Sequence, residues 1–176
     1  MTTEERLAKV ERELADLRAE LAECVRTRKV QVVDENDTLR ARLFVLADGP
    51  RLVLFDEAGK PRAGLGVDAN GPGLVLLDEN GKIRAGLRVD ADGQRLTLAD
   101  ENGKVRAGLA ALKDGPKLDL SDENGRPRAR LAVDANGAGL GIGDAAGNPR
   151  ATLAVVAEGP ALILLDAAGK PIWDAP

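Results

Sequence analysis

The chain of 176 residues contains no histidine and no tyrosine, one cysteine, one methionine, one tryptophan and two phenylalanines. Its only serine is Ser121. Without imidazole, proton transfer would depend on carboxylates, lysine or a metal ion, and neither Ser121 nor Cys24 has a histidine to activate it as a nucleophile. We therefore predict that the protein is not an enzyme and that it binds no cofactor and no small-molecule substrate.

A strong excess of charge is also missing. Lys and Arg together number 25 and Asp and Glu 29, so the net charge is −4 with mixed signs. Such a balance creates no field that attracts a polyanion, and no nucleic-acid partner is expected. No apolar run approaches the ~18 residues of a membrane helix, so we expect no membrane partner, leader or anchor. The expected location is the cytoplasm by default, or an extracellular or virion fibre.

The first 28 residues carry a heptad pattern. The a and d positions are Leu7, Val10, Leu14, Leu17, Leu21 and Cys24. Only this narrow seam is apolar, which favours helices that associate over a lone amphipathic helix. In a parallel pair, Arg6 would face Glu11 of the neighbouring helix, and Glu13 would face Arg18. Residues 1–28 are therefore predicted to be a parallel coiled-coil oligomerisation helix.

A 22-residue repeat follows without a linker. It is marked by Asp34, Asp56, Asp78, Asp100, Asp122, Asp144 and Asp166, and six complete copies occupy residues 34–165. In the copy at residues 78–99, places eight, ten and twelve are apolar (Ala85, Leu87, Val89), and so are places nineteen and twenty-one (Leu96, Leu98). Alternation of this kind predicts two strands in each copy.

Turn signals separate these strands about every eleven residues. Asn80-Gly81 and Asp92-Gly93 are typical of tight hairpins because both residue types tolerate positive φ. Asp68-Ala69-Asn70-Gly71 begins like a calcium loop but lacks the third oxygen donor and the closing glutamate, so we interpret such loops as turns and predict no metal site. Residues 29–176 are thus predicted to form a β-meander of about thirteen short strands.

One apolar face of such a meander needs a cover that the chain does not supply. The tenth-place leucines expected on this face are Leu43, Leu65, Leu87, Leu109, Leu131 and Leu153. A contiguous apolar surface of this size exceeds what a soluble monomer exposes, which favours copies of the same chain as partners. Val10 at a d position argues against a dimer. We predict a mainly β fold in which a parallel trimeric coiled coil precedes a trimeric β-prism.

The alternative fold is a parallel β-solenoid with one coil per 22 residues. At ~4.8 Å per coil, its β part would be about 30 Å long, whereas the meander would give a rod near 100 Å with the helix included. In either fold the last copy is atypical, because Ile172-Trp173 replaces the Arg-Ala of other copies. Trp173 is predicted to cap the open apolar base of the prism.

The N-terminal heptads followed by DENGK-x-RAGL and DGP-x-L-x-L copies resemble uncharacterised bacterial proteins with ~22-residue repeats. The architecture is similar to the trimeric β-prism and triple β-helix shafts of bacteriophage tail fibres and adhesin stalks. The repeat covers residues 34–176 and is specific as a repeat, whereas the resemblance to fibre shafts is architectural only and implies no functional residues.

Two functions are compatible with this pattern. The first is a structural homotrimer that serves as a rod, stalk or filament subunit, with itself as partner and possible end-to-end assembly. The alternative is a fibre-type binding module or adhesin that recognises a glycan or protein through its outer sheet faces, for which Phe44 and Phe55 are the only aromatic candidates.

Overall fold

The computed structural model describes residues 1–23 and 27–175, and within the helix it describes side chains as far as residue 19. The helix, α1, spans Thr3–Glu23. It begins with a capping box: the Glu5 N–H donates to Thr2 Oγ1 at 3.2 Å, and the Thr2 N–H donates to Glu5 Oε2 at 2.7 Å. These two bonds satisfy backbone donors that a helix start leaves without partners.

Fourteen strands follow α1, one more than the sequence pattern predicts. They are β1 (Lys29–Val33), β2 (Leu39–Leu46), β3 (Gly49–Phe55), β4 (Pro61–Asp68), β5 (Gly71–Leu77), β6 (Ile83–Asp90), β7 (Gly93–Ala99), β8 (Val105–Leu112), β9 (Gly115–Ser121), β10 (Pro127–Asp134), β11 (Gly137–Gly143), β12 (Pro149–Val156), β13 (Gly159–Leu165) and β14 (Pro171–Ala175). The additional strand is β14, which holds the residues of the incomplete last copy.

All fourteen strands belong to one open sheet, and their order in the sheet is their order in the chain. From β2 to β14 every neighbouring pair is antiparallel. The meander predicted from the spacing of the turns is therefore present. Among the described strand pairs none is parallel, so the pairing that a one-coil-per-copy solenoid requires is not found among them.

The first turn of each copy is held by its leading aspartate. In the copy that starts at Asp78, the Asp78 N–H donates to the Lys82 carbonyl at 2.9 Å and the Gly81 N–H donates to the Asp78 carbonyl at 3.0 Å. Asp78 Oδ1 accepts from the N–H groups of Asn80 at 2.9 Å and Lys82 at 3.0 Å. The carboxylate thus accepts hydrogen bonds from turn N–H groups that have no strand partner, as in an Asx-turn.

A β-bulge follows this first turn, and the sequence pattern does not reveal it. In β10, Pro127 pairs with Ser121 and Ala129 pairs with Leu120, which leaves Arg128 as the additional residue. The same shift recurs in β4, β6, β8, β12 and β14. Bulges of this kind re-aim a side chain away from the regular alternation. The seventh-place arginines occupy these bulges, and Ile172 occupies the one in β14.

The second turn of each copy brings adjacent copies into close backbone contact. Asp68 pairs with Gly71, so the loop consists of Ala69 and Asn70 and the glycine already belongs to β5. Gly71 has φ 108°, and a Cβ placed on it would lie 2.1 Å from the Val89 carbonyl oxygen of the next copy. Glycine is therefore required at this place by both its backbone angle and its neighbour.

The chain divides into two compact units, Met1–Val30 and Gln31–Pro176. Among the described residues, no helix combines the length and the apolar character that crossing a membrane requires. Within the second unit, the described residues form the sheet and its turns, without a second layer. Consequently Ala110 is the only hydrophobic side chain that the described part of the chain buries.

Candidate functional site

One side of the sheet, called here the apolar face, carries the side chains of places eight, ten, twelve, seventeen, nineteen and twenty-one of each copy. Its central row is a ladder of leucines that pair directly across every strand boundary from β2 to β13. The ladder consists of Leu43, Leu52, Leu65, Leu74, Leu87, Leu96, Leu109, Leu118, Leu131, Leu140, Leu153 and Leu162. Directly opposed side chains in antiparallel strands contact one another, so the row is continuous.

A second row runs beside the leucine ladder. Here alanines of place eight alternate with leucines of place twenty-one, or with isoleucine at Ile142; Ala85, for example, pairs with Leu76 on one side and Leu98 on the other. In β14 the alanine position is taken by Trp173, which pairs with Leu164. The structure thus puts Trp173 on the apolar face at the last strand of the sheet, and its side chain is 47% exposed. Its role as a cap stays a prediction.

The third row joins place twelve to place seventeen. Val45 pairs with Pro50, Val67 with Pro72, and Val155 with Pro160. Proline is tolerated at place seventeen because the strand has only just begun there and the ladder does not depend on its missing N–H. The three rows together give a face that is aliphatic along its whole length, apart from Gln94 and Trp173.

The apolar face is exposed in the single chain. Within the leucine ladder, the exposed fraction is 36% at Leu140 and 54% at Leu153, the lowest and the highest of its exposed members. With strands ~4.8 Å apart and about five residues of width, the face from β2 to β14 covers on the order of 1,000 Å². The largest apolar patch on a typical monomer is about 300–600 Å². The face therefore has the size and the character of an interaction surface.

The tenth-place leucines predicted from the sequence form half of the ladder. The other half, at place nineteen, is Leu52, Leu74, Leu96, Leu118, Leu140 and Leu162. These residues were recognised as apolar strand positions but not as interface residues. The positions of the turns could have identified them as interface residues. Each turn fixes a register in which place nineteen lies opposite place ten of both adjacent strands.

Five of the six predicted interface residues of the helix lie in α1 (Leu7, Val10, Leu14, Leu17 and Leu21). Leu7, Val10, Leu14 and Leu17 are each about half exposed, and no side chain of the described helix is buried. Cys24 lies outside the described residues, as does the side chain of Leu21. An exposed seam of this kind is what an unpaired coiled-coil helix presents; the coiled coil itself stays a prediction.

The bulge arginines join the first turn of each copy to the last residue of the same copy. Arg106 Nε donates to the Ser121 carbonyl at 2.9 Å, and its Nη1 lies 3.4 Å from Asp100 Oδ2 of its own turn. Arg62 repeats the arrangement with the Leu77 carbonyl at 3.0 Å and Asp56 at 3.3 Å. One guanidinium therefore holds the turn of its own copy and the strand end before the following turn. We call this arrangement the arginine clamp.

Lysine side chains at the same turns reach from each copy to the next. Lys60 Nζ donates to the Glu79 carbonyl at 2.8 Å, and Lys82 Nζ donates to the Glu101 carbonyl at 2.8 Å. Because the acceptors are backbone carbonyls, the bond is independent of the residue that occupies the neighbouring place. The basic residues that a charge count would assign to a polyanion surface are thus engaged within the sheet.

The turn carboxylates are held in their charged form. Hydrogen bonding from the Lys82 N–H lowers the pKa of Asp78, and the equivalent bond from the Asn148 N–H contributes most to a pKa of about 2 for Asp144. A carboxylate that accepts several N–H bonds favours ionisation. In the second turn, Asp68 Oδ1 accepts from the Asn70 N–H at 2.8 Å and from Arg88 at 3.1 Å. No group of His, Cys, Asp or Glu within residues 1–23 and 27–175 has the arrangement of a metal site.

The two phenylalanines surround one arginine. The Arg42 guanidinium carbon lies 5.9 Å from the ring centres of both Phe44 and Phe55, which is within the range of cation–π contacts. Both rings are half-buried on the side of the sheet opposite the apolar face. The aromatic candidates for a binding surface are therefore engaged with a side chain of their own copy.

The chain matches no protein-family model and shows no significant similarity to a curated protein. The apolar face, and not a relative, is thus the starting point for a functional proposal.

Proposed function

We propose that the protein is structural and assembles with copies of itself into a homotrimer, in which three sheets form a β-prism with their apolar faces toward a common axis. Such a trimer would serve as a rod, stalk or filament subunit without catalysis. The observation that carries this proposal is the exposed leucine ladder of a single-layer sheet.

The size of the apolar face supports self-association. A stable interface buries about 800 Å² on each partner, and the face offers on the order of 1,000 Å². Burial at ~25 cal/mol per Å² would contribute roughly 25 kcal/mol per chain before the entropy of association is subtracted. A single-layer sheet needs a contribution of this size, because without it the ordered backbone of each strand is offset by little apolar burial.

Two features favour an assembly of three chains over one of two chains. Val10 at a d position is unfavourable for a dimeric coiled coil, which prefers leucine there. Three sheets can also enclose the leucine ladders on all sides, and Trp173, with a larger side chain than the alanine it replaces, would fill the wider space at the end of the prism. α1 would hold the chains parallel through Arg6–Glu11 and Glu13–Arg18 pairs between neighbours.

The test is the mass of the protein in dilute solution, measured by sedimentation equilibrium or by light scattering after size exclusion. The expected result is three chains of 18.5 kDa each. A monomeric mass with intact β-structure in circular dichroism contradicts the proposal. A dimeric mass would retain self-association and contradict the prism.

A matched pair of variants locates the interface. Leu96 and Thr97 are adjacent in β7 and point to opposite sides, with cross-strand partners Leu87 and Gly86 respectively. Leu96→Asp would put a carboxylate in the apolar contact, at a cost of several kcal/mol, and should abolish the trimer. Thr97→Asp should leave the trimer intact. Equal effects of the two variants would show that the apolar face is not the contact surface.

A further inference from the structure

Gln94 is the only polar side chain that β2 to β14 present on the apolar face. It belongs to β7 and pairs with Val89 and Ala111, neither of which offers a hydrogen-bonding side chain. The carboxamide is exposed and makes no hydrogen bond to any described residue. At the equivalent place seventeen the other copies carry Pro50, Pro72, Pro116, Ala138 and Pro160.

The side chain, and not the backbone, distinguishes this position. Proline fits four of the six copies, so the N–H at place seventeen is not needed for the sheet. Glutamine adds one acceptor and two donors to a surface that is otherwise aliphatic. If the face is covered by other chains of the same protein, as proposed above, this carboxamide becomes buried. It must then find a hydrogen-bond partner in another chain.

A repetitive apolar face also has a registration problem. Successive copies place the same side chains on the face at intervals of two strands, roughly 9.6 Å. Two such faces could shift by one copy and lose only a small part of their contact. A single buried polar residue solves this problem in coiled coils, because every shifted register leaves its hydrogen bonds unmade.

We propose that Gln94 fixes the axial register of the assembled chains through hydrogen bonds from its carboxamide to a second chain. The proposal rests on the proposed self-association, and it specifies how the chains are aligned with one another along the axis. The place of Gln94 in β7, the seventh of fourteen strands, makes a shift in either direction equally unfavourable.

The test uses full-length variants in which the glutamine is removed or moved by one copy. Gln94→Pro restores the common residue of place seventeen. The double variant Gln94→Pro with Pro116→Gln moves the carboxamide to the next copy without changing composition. Wild type and each variant are labelled with different isotopes, mixed, partly unfolded and refolded together, and the assemblies are counted by native mass spectrometry.

The double variant by itself should assemble as well as wild type. Its mixed assemblies with wild type must either leave the amides unpaired or shift by one repeat and lose that repeat's apolar contact, so they should fall about tenfold below the statistical fraction. That factor corresponds to one unpaired buried amide. Gln94→Pro alone should form additional larger species, because shifted chains expose apolar steps at their ends. Statistical mixing of wild type with the double variant overturns the proposal while leaving self-association intact. A monomeric wild type overturns both.

Discussion

The close contact between successive copies at the second turn predicts a difference between two otherwise equivalent glycines. Gly137 and Gly159 both begin a strand after this turn, with φ of 141° and 126°. A Cβ on Gly137 would lie 2.0 Å from the Val155 carbonyl oxygen, whereas a Cβ on Gly159 would have no described atom within 4 Å. Substitution by alanine at the two sites therefore shares the backbone cost and differs in the steric one.

The magnitude follows from these geometries. An alanine at positive φ costs roughly 1–2 kcal/mol at either site. At Gly137 the Cβ and the carbonyl must additionally separate by more than 1 Å to reach an ordinary contact, which disturbs the pairing of Gly137 with Val156. The loss of one or two ladder hydrogen bonds adds about 1–2 kcal/mol. We expect Gly137→Ala to be less stable than Gly159→Ala by about 2 kcal/mol.

Amide hydrogen exchange is the appropriate assay, because repeat arrays open locally and a global midpoint averages over the copies. Faster exchange should be confined to β11 and β12 in Gly137→Ala, and the exchange free energies of the strands around each glycine give the difference between the two variants. Equal destabilisation of the two variants would refute the reasoning, because Gly137 lies against a paired strand and its carbonyl on the side where Gly159 has no described strand partner.

The arginine clamp and the turn carboxylates lead to two more predictions. Arg106→Gln should lower the free energy of unfolding by about 1 kcal/mol, because the bonds to the Ser121 carbonyl and Asp100 are lost. Lys113→Gln changes a cation without such bonds in the described structure, so its free energy of unfolding should equal that of wild type within the error of urea unfolding. The folded-state pKa values of Asp78, Asp122 and Asp144 are below the ordinary 3.8, so the folded state binds protons less readily than the unfolded state. The stability should therefore be constant above about pH 5 and fall from there toward pH 2. Thermal melts followed by circular dichroism measure this change. Stability that stays constant down to pH 2.5 would contradict the role of these carboxylates.

Much of the sheet could be predicted because its determinants are local. Paired leucines are 9 or 13 residues apart in sequence, as in Leu43–Leu52 and Leu52–Leu65. Asn-Gly and Asp-Gly pairs placed the turns, and period-two alternation then assigned every side chain to a face. Once both turns are placed, no freedom remains in the register of the strands between them.

The parts that could not be predicted depend on the exact backbone path. Alternation alone would place Arg128 opposite Leu120 or Ser121, but the bulge leaves it without a cross-strand partner and directs it to the Gly143 carbonyl at the end of its own copy. The glycine of the second turn was expected within the loop, and it lies in the strand beneath a neighbouring carbonyl. Neither feature changes hydrophobic periodicity, so neither leaves a mark on the pattern that predicts strands.

The number of chains in the proposed assembly is a different kind of problem. Local hydrogen bonds, the arginine clamps and the turns are complete within one chain, so they are the same for any number of partners. Only the apolar face and the seam of α1 respond to that number, and both are repetitive. Residues that break the repetition on these surfaces therefore carry the information that the regular ones lack. Val10 in the helix, Gln94 within the face and Trp173 at the last strand are among them, and changing these residues should alter the proposed assembly more than it alters the sheet.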